Sequence, residues 1–338
     1  MSDQSAMPPL LPSAPLTPAG FQVRFVSPHR LVDRVTPQRD LFLIAHLGIA
    51  QVDAASWLLS IGGLAERPIT LAFDDIRRLP KREIEAFHHC AGDPKKHDEP
   101  KRLVGNVVWG GIDLAELLET VGVRPEARYL WAFGLDRGRY EGLGGDNYQK
   151  DMPIARLAEG DVLLAYECNG ESLTVEHGYP LRLVIPGYYG TNDVKWLCRL
   201  ELADRRAGGV FTTTLYNDPD GATGARRALW EAPPESLIVS PSADARLSRE
   251  PVEIWGWAWA ARGVDRVEIS ADGGATWSQA ALEPRSQYSW QRFSRAWTPS
   301  ATGACEIVAR ATDTLGKVQP MSRARNAVHA VPVEVTSG

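Results

Sequence analysis

The apolar residues of this chain fall into short runs of two different periods, and most runs are closed by glycine, proline or an Asx-Gly pair. Residues 57–61 read as a strand stopped at Gly62-Gly63, residues 71–79 as a short helix stopped by Pro80, and residues 84–88 as a second strand. Leu114, Leu117, Leu118 and Val121 recur at helical spacing and predict a helix ending at Gly122. Further strands are expected at 129–133, 162–166 and 181–185, with Asn169-Gly170 as a hairpin turn. Residues 41–50 read as a short buried strand or turn, and residues 136–149, rich in Gly, Arg and Asp, as a long loop. Strands and helices alternate without a strict βαβ rhythm, so this part of the chain is expected to be α+β. Beyond the Pro- and Gly-punctuated residues 217–235 the pattern changes. Short strands at 252–260, 267–270, 277–281 and 306–312, with a hairpin at Asp272-Gly273, predict a small antiparallel sandwich. Trp255, Trp257 and Trp259 alternate and therefore share one strand face, as core, domain contact or dimer surface.

Composition narrows the class. A chain of 338 residues suggests two domains, and 44% apolar with 23% charged residues describes a globular protein. The net charge of −5 argues against generic nucleic-acid binding but allows a local basic pocket for a small anion. Cys90, Cys168, Cys198 and Cys305 show no CxxC spacing, which excludes a zinc ribbon, a c-type haem site and a dithiol redox motif. Residues 1–20 read as a flexible tail without a signal peptide or twin arginine, and no run reaches the roughly 20 apolar residues of a membrane span. A cytoplasmic location is the expectation.

Candidate chemistry centres on Cys90, which leaves a strand at a turn, Ala91-Gly92, and so suits a ligand or a nucleophile. Lys95, Lys96, Lys101 and Arg102 follow in a basic, glycine-punctuated turn that continues through residues 106–111, and their charge is expected to lower the thiol pKa. Adjacent histidines on a strand face opposite sides, so one of His88 and His89 is expected to point with the cysteine. That histidine also permits a Cys/His hydrolase. Cys168, Cys198 and Cys305 sit within expected strands and read as structural. Gly187 and Gly190 allow backbone to approach a ligand, and Lys195 adds a charge for a phosphate.

Cys90-Ala91-Gly92, then Trp109-Gly110-Gly111 before a leucine-rich helix, then the run from residue 163 to 197, follow one another in an order that resembles the sulfite oxidase family of molybdopterin enzymes. The runs IWGWAWA and VEISADGGATW resemble that family's dimerisation domain. The resemblance implies a mixed α/β molybdopterin-binding domain over residues 21–232 and an immunoglobulin-like β-sandwich over 233–338, assembled as a homodimer. It makes Cys90 the molybdenum ligand. It places Asn192, Asp193, Val194 and Lys195 near the pterin phosphate, with His46 and Lys150 as further contacts, and Trp109 beside the reacting centre. Lys95 stands in for an arginine of the family's substrate site. Tyr166, by its hydroxyl rather than by the resemblance, is a candidate proton or hydrogen-bond donor near the metal, against the usual core role of such aromatics. The implied activity is oxygen-atom transfer on a small oxyanion or sulfur compound, with electrons leaving to an external partner such as a cytochrome. A sulfoxide reductase on the same centre and a non-catalytic cofactor-binding homologue are the alternatives. The chain departs from sulfite-oxidising members in two places. It carries Ile44-Ala45-His46 where Arg-Asn-His is common, and Asp93-Pro94-Lys95 where Asn and then Arg follow the glycine.

Overall fold

The computed structural model describes residues 20–93, 102–145, 147–219, 223–322 and 324–337. Two five-stranded sheets form the amino-terminal part. The first runs Gln149–Pro153, Tyr129–Gly134, Leu197–Ala203, Leu58–Gly63, Ile69–Ala72, with one parallel pair, Leu197–Ala203 on Leu58–Gly63. The second runs Glu171–Ser172, Leu163–Cys168, Val104–Asp113, Arg82–His89, and Arg182–Val184 pairs with Leu163–Cys168 beside it. The helix Leu114–Val121 follows the long strand, and its four apolar residues Leu114, Leu117, Leu118 and Val121 are buried between the sheets. Asp113 caps it by accepting from the Ala115 and Glu116 amides, and Gly122 ends it at φ 75°. Asn169 and Gly170 take φ values of 55° and 78°, the left-handed pair that a tight hairpin requires.

Three local expectations change. The helix expected over 71–79 is divided between the strand Ile69–Ala72 and the helix Phe73–Arg77, because Asp75 accepts the Ala72 amide at 3.0 Å and starts the helix there. The glycine-punctuated turn at 106–111 is instead part of the ten-residue strand Val104–Asp113. A Cβ at Gly111 would stand 2.2 Å from the Leu164 carbonyl oxygen, so glycine there serves close strand approach rather than chain reversal. The loop expected at 136–149 contains a hairpin, Gly138–Tyr140 with Leu143–Gly145. The amino-terminal part is accordingly mostly sheet with a few short helices, poorer in helix than the α+β expectation suggested.

From Glu235 onward, a four-stranded and a five-stranded sheet share a core that includes Ile238, Ile254, Phe293 and Ile307. The alternating tryptophans face the amino-terminal sheets. Trp257 and Trp259 are buried in one cluster with Phe87, Cys90 and Trp109, while Trp255 is half-buried at its edge. Trp257 stacks on Trp290 at 4.6 Å and donates Nε1 to the Leu31 carbonyl. Cys168 and Cys198 are buried and Cys305 is half-buried, all unpaired. Among the described residues, no helix is long and apolar enough to cross a membrane.

Candidate active site

The strand Arg82–His89 ends at Cys90, where the chain turns because the Asp93 amide donates to the Cys90 carbonyl at 3.1 Å. The Gly92 amide donates to Cys90 Sγ at 3.3 Å, and the Cys90 amide is held by the Leu103 carbonyl at 2.9 Å. This turn presents the sulfur to a cavity whose wall includes Cys90, His88, Asp193, Lys195, Arg182 and His177. The two-residue period of the strand places His88 on the same side as Cys90, while His89 points away to Asp93, as expected for adjacent histidines.

A second segment, Gly190 to Trp196, completes the wall. A Cβ at Gly190 would lie 2.7 Å from His88 Cε1, so only glycine lets this segment approach the ring. Asp193 Oδ1 accepts the Ile185 amide at 2.9 Å, and its Oδ2 lies 3.1 Å from His88 Nδ1. Arg182 Nη2 approaches His88 Nε2 at 3.4 Å, and because a guanidinium only donates, the ring proton belongs on Nδ1, facing Asp193. Lys195 Nζ donates to the Ile44 and Glu176 carbonyls at 2.8 and 3.0 Å.

Burial governs the ionisation of the cavity. It pushes the Cys90 thiol up to about 12, against the opposing pull of the Gly92 amide. The sequence expectation of a thiol activated by surrounding lysines is therefore reversed. Lys95, Lys96 and Lys101 lie outside the described residues, and Arg102 is turned away to Asp93 and Glu235. Burial, followed by the neighbouring Arg182 charge, lowers Lys195 to about 7, and burial raises Asp136 to about 7. His46 is lowered to about 3 by burial and then by Lys195, and His88 and His177 are also lowered, chiefly by burial. These histidines are neutral, so the fixed positive charge of the wall comes from Arg182.

Of the residues singled out from the sequence, Cys90, His46, Asp193 and Lys195 come together in this wall. His46 bonds through Nε2 to the Tyr216 hydroxyl. His88 and Gly190 line it as well, whereas Lys150, Val194, Asn192, Tyr166 and Trp109 stand elsewhere. Lys150 is buried with Nζ donating to the Phe211 carbonyl at 2.9 Å, and Val194 belongs to the apolar core. Asn192 donates Nδ2 to the Tyr189 and Leu229 carbonyls, both at 2.9 Å, and so braces the segment rather than lining the cavity. Tyr166 packs against Phe73 at 6.3 Å in the core between the sheets, because it emerges where pairing with the long strand slips by one residue. Trp109 lies behind the wall, edge-on to His88 at 5.5 Å.

Sequence reasoning missed Arg182, His177, Asp136 and Tyr148, which also line the cavity. Arg182 had a signal, a single charge inside the apolar run LRLVI, since an arginine in a buried strand needs a partner. Its Nη1 donates to the His177 carbonyl at 3.0 Å, but its Nε, like His177 Nε2, is buried without a hydrogen-bond partner among the described residues. From the sandwich, Arg325 donates to the Ala91 carbonyl and, at 2.7 Å, to Asp218, reaching the cysteine turn from its other side.

Residues 46–211 match the oxidoreductase molybdopterin binding domain, and residues 226–332 match the molybdenum-cofactor oxidoreductase dimerisation domain. The chain is 33% identical to a sulfite oxidase of Arabidopsis thaliana over 85% of its own length and 82% of that protein. It is 30% identical to a mitochondrial sulfite oxidase of Mus musculus over 89% of its length, spanning 62% of that longer protein. The crystal structure of the sulfane dehydrogenase SoxCD from Paracoccus pantotrophus superposes with a TM-score of 0.81 at 29% identity, covering 97% of this chain and 87% of that one. The order of the two matched domains agrees with these likenesses: the chain belongs to the sulfite oxidase family of molybdenum-molybdopterin oxidoreductases.

Proposed function

We propose that the chain oxidises a small sulfur oxyanion, sulfite first among them, by oxygen-atom transfer, and passes the electrons to a separate carrier such as a cytochrome. The observation that carries this reading is that the Cys90 thiol shares one cavity wall with Arg182 and His177, whose buried Nε and Nε2 have no hydrogen-bond partner among the described residues. These residues fit the family's cofactor. A soft sulfur suits molybdenum, and a buried guanidinium with an unpartnered Nε calls for an anion such as the pterin phosphate. Cys90 would ligate the metal, which when bound supplies two-electron oxygen-atom transfer. The raised pKa of the free thiol is no obstacle, because a coordinating metal deprotonates a thiol outright. Arg182, His177 and Lys195 would hold the phosphate, and Asp193 fixes His88 beside them. We place the domain boundary at 232/233 and read the sandwich as immunoglobulin-like, and the dimerisation-domain match supports a homodimer.

A second reading, a less polar sulfur compound or a sulfoxide handled in the reducing direction, is favoured by Ile44. Its aliphatic side chain stands in the cavity wall at a position where sulfite-oxidising members commonly carry arginine. The test is stopped-flow mixing of the oxidised holoenzyme with sulfite or a sulfane compound, and of the reduced holoenzyme with a sulfoxide. Rapid reduction by sulfite supports the first reading, and no reduction by sulfite with turnover of another compound selects the second. Full molybdenum-dependent turnover by Cys90→Ser rejects the ligand assignment.

A further inference from the structure

On the far side of the Cys90 turn lies a second set of charged side chains that the cavity does not use. His89, Asp93, Arg102 and Glu235 are all buried, none more than 4% exposed. His89, Asp93 and Glu235 bring potential ligand atoms within 4.8 Å of one another, but a cation is already built in. Arg102 Nη2 donates to Glu235 Oε1 at 2.8 Å, and Arg102 Nε lies 3.4 Å from Asp93 Oδ2. The histidine is fixed as well. Trp259 Nε1 donates to His89 Nδ1 at 3.3 Å, so the ring proton sits on Nε2, which faces Asp93 Oδ2 at 3.3 Å and Glu235 Oε2 at 3.7 Å.

Two of these residues, Glu235 and Trp259, belong to the sandwich, whereas Asp93 closes the cysteine turn. The Asp93 amide bonds to the Cys90 carbonyl, and its Oδ1 accepts the Leu103 amide at 2.7 Å, while the Leu103 carbonyl holds the Cys90 amide. Arg102 cannot follow a shifted partner freely, because its backbone is paired in both directions with Val26. The charge of Asp93 is therefore answered by a guanidinium whose direction is set from the other domain.

We infer that Glu235 is a positioning residue, through which the sandwich, by way of Arg102 and Asp93, sets the aim of Cys90 Sγ into the cavity. The inference rests on Cys90 as the metal ligand. Without the Glu235 charge, Arg102 is drawn wholly to Asp93 and the turn moves, as happens when an outer partner of a ligand is lost.

The experiment uses the holoenzyme in four forms: wild type, Glu235→Gln, Asp93→Asn and the double variant. It reads molybdenum per chain, the thiolate-to-molybdenum absorption band, kcat, KM and Tm. Glu235→Gln is expected to displace the band and lower kcat about ten-fold, with metal content and KM nearly unchanged and Tm lowered by the loss of a buried ion-pair partner. The double variant is expected to fall short of the sum of the single effects, since both act through Arg102. An unmoved band in Glu235→Gln at full metal content, or strict additivity, overturns the inference while leaving the ligand assignment intact. If Glu235→Gln does not fold, Asp93→Asn decides, and an unmoved band there overturns it equally. A wild-type band that survives Cys90→Ser overturns the ligand assignment and this inference together.

Discussion

The Arg182 guanidinium lies 4.6 Å from the centre of the Trp109 ring, so the indole that follows the cysteine strand forms a floor for the cavity's fixed positive charge. The ring contact holds the planar fork, whose Nε is buried without a hydrogen-bond partner among the described residues. A lysine keeps the charge but cannot stack or present two parallel donors. Arg182→Lys is therefore expected to lose about ten-fold or more in retained molybdenum after purification, measured by elemental analysis. Full retention would show that charge alone suffices.

Cys90 is buried, with its thiol pushed up to about 12 by that burial. At pH 8 the thiolate fraction is then about one in ten thousand, and alkylation of cofactor-free protein should run at least about a hundred-fold slower than on a small free thiol. Mass spectrometry after timed iodoacetamide exposure checks this, with denatured protein as the positive control. Labelling at the free-thiol rate would revive the hydrolase alternative.

Lys195 and Asp136 both titrate near pH 7 in the free cavity, Lys195 lowered and Asp136 raised, burial leading in each case. As the pH falls through 7 the lysine gains its charge and the aspartate loses its own, so both changes favour an anion. Sulfate, which keeps its two charges across this range, should bind the cofactor-free protein about ten-fold more tightly at pH 6 than at pH 8. Calorimetry reads this directly. Lys195→Met should flatten the dependence, and a dependence of opposite sign would contradict the assignment of both groups.

Trp257 joins the sandwich to the amino-terminal part by its bond to the Leu31 carbonyl, and it is held in place by stacking on Trp290 of the sandwich itself. Replacement by alanine should cost about 3–5 kcal/mol, the range for removing a buried large aromatic, in urea unfolding. Trp255 on the same strand face is only half-buried, and Trp255→Ala should cost about 1 kcal/mol or less. Equal effects would mean that the contact is not centred on Trp257.

Much of this protein was determined by the chain alone. The period of Leu114, Leu117, Leu118 and Val121 requires a helix with one apolar face, and Gly122 requires its end. Asn169-Gly170 dictates a hairpin, because few other pairs adopt two positive φ values. Cys90, His46, Asp193 and Lys195 were recognisable because their neighbours in sequence carry the family's pattern. Tertiary structure decided the rest, since those properties depend on what is brought near from far along the chain. Glycines 110 and 111 signal a turn locally and become part of a strand only because Leu164 packs against Gly111. Lys150 and Tyr166 have suitable side chains, yet their strands aim them at Phe211 and Phe73. The lysine-rich stretch after Cys90 suggested an activated thiol, while burial, which no local pattern reveals, raises its pKa instead. The partner of Asp93 is an arginine steered by Glu235, 142 positions further on (235 − 93), and only the packing of sandwich against sheet brings them together.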